Sequence, residues 1–177
     1  MRSEIKINLQ SGFYILAVGG HMVKAAIGRN GMTRAHDKRE GDGKTPLGTW
    51  ALRQVYYRPD RITLPPLPFE TIAITKTMGW CDDPDHALYN QEVSLPFEAS
   101  HEALWRDDHA YDVIIPLGYN DAPPQAGRGS AIFFHILHDG RGYTEGCVAI
   151  GCDDMMAILP LLGLDTVMII DDNAATP

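Results

Sequence analysis

The chain of 177 residues is poor in positive charge: 15 Lys and Arg stand against 23 Asp and Glu, a net −8. Nucleic-acid binding draws on basic patches, so that class of partner is excluded. Cysteine is scarce as well. Three widely spaced residues, Cys81, Cys147 and Cys152, make no disulfide framework and fit a reducing compartment. No apolar run is long enough to span a membrane. Near the N-terminus Glu4, Lys6 and Asn8 interrupt the apolar positions, and Phe13 to Val18 is short. A secretory leader wants a basic start and then roughly 7–15 apolar residues. The expectation is therefore a cytoplasmic protein, with the periplasm as the alternative. There is no internal repeat, no alternation of strands with helices, and no spaced glycine loop for a nucleotide; Gly41, Asp42, Gly43, Lys44 and Thr45 lack the spacing and the following helix.

What is present suggests one domain over 1–177, with 45% hydrophobic and 21% charged residues. Ile5, Ile7 and Leu9 alternate with polar residues; Ser11-Gly12 and Gly19-Gly20 then separate further apolar runs to Ile27. This reads as a three-strand meander. Gly28 to Gly48, glycine-rich and charged, reads as a long surface loop. Strands are expected over 49–57, 71–75, 112–117 and 166–170. A short helix capped by Ser100 and running to Trp105, and another from Asp153 to Leu162 strained by Pro160, complete the list. The fold class is mainly β (α+β): an antiparallel sandwich or barrel with one or two short helices.

The densest chemistry lies in Ser130 to Gly151, an apolar run broken at Asp139-Gly140 and Gly142, with His135 before the break and Cys147 after it. A hairpin centred on Arg141 pairs His135 with Cys147 directly, their Cβ atoms roughly 4.5–5.5 Å apart. An imidazole there can take the thiol proton and lower the thiol pKa. Gly146 allows close backbone approach, and the Gly146 and Cys147 amides are candidate oxyanion donors. His138 points to the other strand face and is the second candidate base. A zinc site from His135, His138, Cys147 and Cys152 is the competing chemistry, but the two histidines diverge on a strand and no C-x-x-C pair exists. Neither metal nor cofactor is expected. Trp80, Tyr89 and Tyr119 stand beside polar loops and become substrate walls if those loops converge on Cys147. Arg128 and Arg141 are candidates for gripping a carboxylate.

Thr144-Glu145-Gly146-Cys147-Val148 with His135 upstream resembles the catalytic segment of the YkuD-type L,D-transpeptidase family, and Thr45-Pro46-Leu47-Gly48 resembles its Thr-Pro-x-Gly turn. The likeness runs from about Lys24 to about Leu162. It implies Cys147 as nucleophile, His135 as base, Thr144 as support, the Gly146-Cys147 amides near the oxyanion, and peptidoglycan stem peptides as substrate. Two positions depart from the pattern: Glu145 stands where many members have His, and Ala149 where many have Arg or Asn. With the missing leader, these favour a cytoplasmic L,D-carboxypeptidase that trims murein tetrapeptides in recycling. An exported cross-linking transpeptidase and a non-catalytic murein-peptide binding module are the alternatives.

Overall fold

A computed structural model describes residues 3–137 and 141–172. Strands β1 (Glu4–Gln10), β2 (Phe13–Val18) and β3 (His21–Lys24) form the expected meander. Both connections are two residues long. Ser11 and Gly12 have φ of 49° and 83°, Gly19 and Gly20 of 53° and 86°. Paired positive φ values of this kind match the twist of a tight hairpin, which is why three of the four positions are glycine.

The meander is half of a six-stranded sheet. β4 (Met32–Arg34) and β5 (Thr45–Ala51) lie within or begin inside the segment expected to be a surface loop. The last strand, Val167–Ile170, inserts between β1, to which it runs parallel, and β5. A second, five-stranded sheet is built from β6 (Val55–Tyr57), β7 (Thr71–Ala73) and three later strands. A small third sheet holds β8 (Met78–Cys81), β9 (Glu92–Ser94) and β10 (His101–Ala103). β10 stands where a helix capped by Ser100 was expected: His101 and Ala103 pair with Cys81 and Gly79, so cross-strand pairing overrides the local capping signal.

β11 (Val113–Pro116), β12 (Phe133–Ile136) and β13 (Val148–Ile150) complete the second sheet, in the order β13-β12-β11-β6-β7. Side chains on a strand alternate between faces. Val113, Ile115, Phe134, Ile136, Val148 and Ile150 face the first sheet and share a core with Ile5, Ile7, Leu16 and Met168. Helix α1 (Cys152–Ile158) closes this core with Met155 and Ile158, and gives way to a 3-10 turn at Leu159–Leu161 because Pro160 cannot continue it. Ile114 and Phe133 face the other way, against Trp80 and Leu104 of the third sheet and its flank. Trp80 packs edge-on to Phe133 at 5.1 Å, an arrangement worth about 0.5–1.5 kcal/mol beyond the area it buries.

The protein is thus mainly β, with one short helix and three sheets, none of them a closed barrel among the described residues. Four of the strand pairs are parallel, so the sheets are mixed rather than purely antiparallel.

Candidate functional site

β12 and β13 run parallel, with Phe134 opposite Val148, His135 opposite Ala149 and Ile136 opposite Ile150. This corrects the hairpin reading: His135 does not face Cys147 across an antiparallel ladder. One step earlier in the same register Cys147 lies beside Phe133, whose N–H donates to Sγ at 3.4 Å. The thiol in turn donates to Ala131 O at 3.2 Å. Phe133 and His135 are two residues apart on one strand and share a face. Cys147 therefore stands on the His135 face after all, displaced by one side-chain step.

His135 is buried, and its Nδ1 approaches Ile136 O at 2.7 Å and Ala110 O at 3.2 Å. Carbonyl oxygens only accept, so Nδ1 bears the hydrogen and Nε2 of the neutral ring holds the lone pair. Burial pushes the imidazole pKa down to about 4. Burial, and after it the Glu102 carboxylate, push the Cys147 thiol up to about 12. At neutral pH both groups are uncharged. The thiol is not lowered by a resting thiolate–imidazolium pair, the expectation from the sequence; desolvation dominates instead.

The backbone around Cys147 is braced by two threonines. Thr144 Oγ1 donates to Cys147 O at 2.7 Å and accepts the Gly146 N–H at 3.1 Å. Thr45 Oγ1 donates to the same carbonyl at 3.3 Å and accepts the Gly28 N–H at 2.8 Å. With the Gly146 amide bonded to Thr144, the Cys147 amide is the remaining candidate oxyanion donor of the two. Gly146 has φ of 141°, and a Cβ there would lie 2.9 Å from Lys44 O. The glycine-cysteine step is thus required both by backbone conformation and by the close approach of the Thr45 turn.

Cys147, His135, Thr144 and Arg141 line one cavity of about 190 Å³. Lys38, Glu40, Glu102, Arg106 and Tyr111 line it too. The ionic groups are largely engaged. Lys38, 2% exposed, binds Asp42 at 2.6 Å; Arg106 holds Asp108; Arg29 holds Glu145 at 3.1 Å. Glu40 accepts Ser130 Oγ at 2.7 Å and the Tyr89 hydroxyl. The other wall candidates are elsewhere. Trp80 donates to Asn90 Oδ1 at 2.9 Å and borders a neighbouring cavity. Tyr119 donates to Arg128 O at 2.6 Å and packs edge-on to Trp50. Arg128 reaches His36 O. Tyr89 sits behind Glu40 rather than in the lining. Lys38 and Glu40 were hidden inside a charged, glycine-rich segment that reads as solvated, although the same segment ends in the Thr-Pro-Leu-Gly turn. Glu102, Arg106 and Tyr111 carried no signal of their own.

Ala149 is fully buried beside His135, so no long polar side chain fits there without rearrangement. His138, the other candidate base and zinc ligand, lies outside the described residues. Among those described, no group of three or more His, Cys, Asp or Glu is placed to hold a metal ion.

Solved structures that align with the chain include two L,D-transpeptidases. L,D-transpeptidase 1 of Mycobacterium tuberculosis is 9% identical with a TM-score of 0.38, covering 95% of this chain and 62% of that one. An L,D-transpeptidase from Mycobacterium smegmatis is 12% identical with a TM-score of 0.39, covering 96% and 59%. The chain thus spans about 60% of the length of each. No curated protein matches it. Residues 2–170 match the family model described as the L,D-transpeptidase catalytic domain, and the chain belongs to this YkuD family.

Proposed function

We propose that this domain is a cysteine acyl-transfer enzyme acting on peptidoglycan tetrapeptide stems, and that water resolves its acyl-enzyme, making it an L,D-carboxypeptidase. The observation that supports this best is Cys147 and His135 on one sheet face, in one cavity, with the imidazole lone pair on Nε2. Sγ adds to the carbonyl carbon that precedes terminal D-alanine while its proton passes to Nε2. The Cys147 N–H faces the developing oxyanion. The tetrahedral adduct expels the D-alanine amine, which takes the proton back from His135, and a thioester remains. Water then attacks the thioester, giving its proton to Nε2, and the thiol is regenerated as the tripeptide leaves. General acid–base help of this kind contributes roughly 10²–10⁴-fold.

Mixed charge in the cavity suits a zwitterionic stem. Arg141 offers a cation to its carboxylates, while Arg106, Lys38, Glu40 and Glu102, engaged with protein partners, set the field of the cavity wall. Three free cysteines, Cys81, Cys147 and Cys152, suit a reducing compartment, which supports a place in cytoplasmic recycling. Family membership favours a second reading, a transpeptidase in which an amine resolves the same thioester.

Incubation with a tetrapeptide stem, followed by mass spectrometry, tests the proposal. Loss of D-alanine to give tripeptide is the expected result. A dimer, or exchange with added D-amino acid, identifies the transpeptidase. Unchanged peptide that still binds leaves a binding module and overturns the enzyme reading.

A further inference from the structure

His135 is held by more than its own strand. The turn from Asp108 to Asp112 closes over it: Ala110 O accepts its Nδ1–H, and the Tyr111 ring stands edge-on to the imidazole at 5.3 Å and 81°. That turn is fastened at both ends. Arg106 Nε donates to Asp108 at 2.9 Å, while Arg61 and His109 bind Asp112 at 2.9 and 2.7 Å. Its middle is tied within the turn by the Ala110 N–H, which donates to Asp108 at 3.3 Å, and to β10 by the Tyr111 hydroxyl, which donates to Glu102. Glu102 also lines the cavity that contains Cys147.

We propose that Glu102 is a positioning residue for the cysteine–histidine pair: through the Tyr111 hydroxyl it holds that ring against His135, and its ionisation state sets how readily Cys147 gives up its proton. Several charged or titratable groups face the Glu102 carboxyl. From β8 and its end comes Asp82, whose Oδ1 is buried without a partner among the described residues. From the segment before β5 comes Glu40, and from beyond β10 come Arg106 and Tyr111. Burial raises the Glu102 carboxyl above its usual range, Asp82 and Glu40 add to this, and Tyr111 and Arg106 oppose it. After burial, Glu102 has the largest effect on Cys147, acting against Lys38 and Arg106. Those two cations are paired with Asp42 and Asp108, whereas the partner of Glu102 is an uncharged hydroxyl. A neutral Glu102 leaves the thiol free to ionise under attack; an anionic one opposes it.

The proposal rests on the acyl-transfer reading only in taking Cys147 as the reacting thiol. Alkylation reads that thiol without substrate, so failure of the stem-peptide assay and failure here are told apart. The full chain with Cys152→Ser, to remove the exposed thiol, is treated with iodoacetamide from pH 5 to 9, and labelling at Cys147 is followed by peptide mapping. Glu102→Gln keeps an acceptor for Tyr111 and is neutral at every pH. It is expected to label about three- to tenfold faster than its parent at the alkaline end of the series, with the two rates converging as falling pH neutralises the parent carboxyl. Tyr111→Phe removes a bond that favours the anion, so the pH at which parent and Glu102→Gln part should move upward in that background. Superimposable profiles for parent and Glu102→Gln overturn the proposal. If Glu102→Gln does not fold, an unshifted profile for Tyr111→Phe alone overturns it.

Discussion

The Thr144 hydroxyl donates to the carbonyl of Cys147 at 2.7 Å, so the residue that sets the backbone of this cysteine is three positions before it. Thr144→Val keeps the shape and removes both hydroxyl bonds, leaving the Gly146 amide without its acceptor. A buried donor left unsatisfied costs about 1–3 kcal/mol. Urea denaturation should show a loss of that size, with turnover of stem peptide reduced at least tenfold. Thr144→Ser should restore most of both.

The pH dependence has a definite sign. His135 accepts a proton only while neutral, so the acid limb of kcat/KM should come as pH drops through about 4. Cys147 imposes no limb until about 12. A bell centred near pH 7 would contradict this, since it needs a thiol and an imidazole with ordinary pKa values.

The same histidine also affects stability. Its pKa is 6.5 when unfolded and about 4 when folded, so between these values the unfolded chain binds more protons. Stability from this group is complete above 6.5 and is lost as pH falls towards 4, to the order of 3 kcal/mol. In denaturation midpoints taken at pH 7 and pH 4, His135→Gln should show a smaller difference than the parent.

Gly146→Ala places a Cβ 2.9 Å from Lys44 O at φ 141°, where no side-chain rotation relieves the contact. A destabilisation of about 2 kcal/mol or more is expected, with loss of Cys147 alkylation at the parental rate. Gly142→Ala, with open space around its Cβ position, serves as the neutral control.

Asp42 bonds the buried Lys38 ammonium at 2.6 Å and accepts the Arg39 and Lys44 amides. Burial alone would raise its carboxyl, but these partners hold it below 3.8. Its contribution is therefore present above that pH and lost in acid. Asp42→Asn should cost about 3 kcal/mol at pH 7, because it leaves a buried cation without its anion, and the deficit should narrow on acidification. Thermal melts at pH 7 and pH 3 check this.

The meander was legible because its turns announce themselves: Ser11-Gly12 and Gly19-Gly20 supply the backbone freedom that hairpins need. Helix α1 was legible from Asp153, Asp154 and Pro160. Cys147 and His135 were singled out by residue type and a shared face, and the structure puts them in one cavity. Their register was not legible. Parallel and antiparallel pairing both keep odd-numbered residues on one face here, so the alternation of apolar residues is silent on strand direction. β10 was misjudged because Ser100 is an adequate cap in isolation, and only its partner β8 decides otherwise. Glu40 was not legible because its partners Tyr89 and Ser130 are distant in the chain; Lys38 and Glu102 have nearer partners in Asp42 and Tyr111, but their burial depends on the surrounding strands, of which the local sequence gives no sign.

Parallel pairing of β12 and β13 has a consequence for how this site can vary. In a hairpin the length of the turn dictates which residues meet, so inserting one residue would move the thiol off the imidazole's face. In a parallel pair the connection only has to return to the start of the neighbouring strand, and the ladder itself fixes the register. Here that ladder is reinforced from the far side by the Ala26–Ala149 and Gly28–Thr144 bridges. The number of residues between His135 and Cys147 can therefore grow while the ladder keeps their separation in space. The connection around Arg141 and Tyr143, both on the cavity wall, can lengthen or change sequence to suit a different occupant while Cys147 and His135 stay where they are.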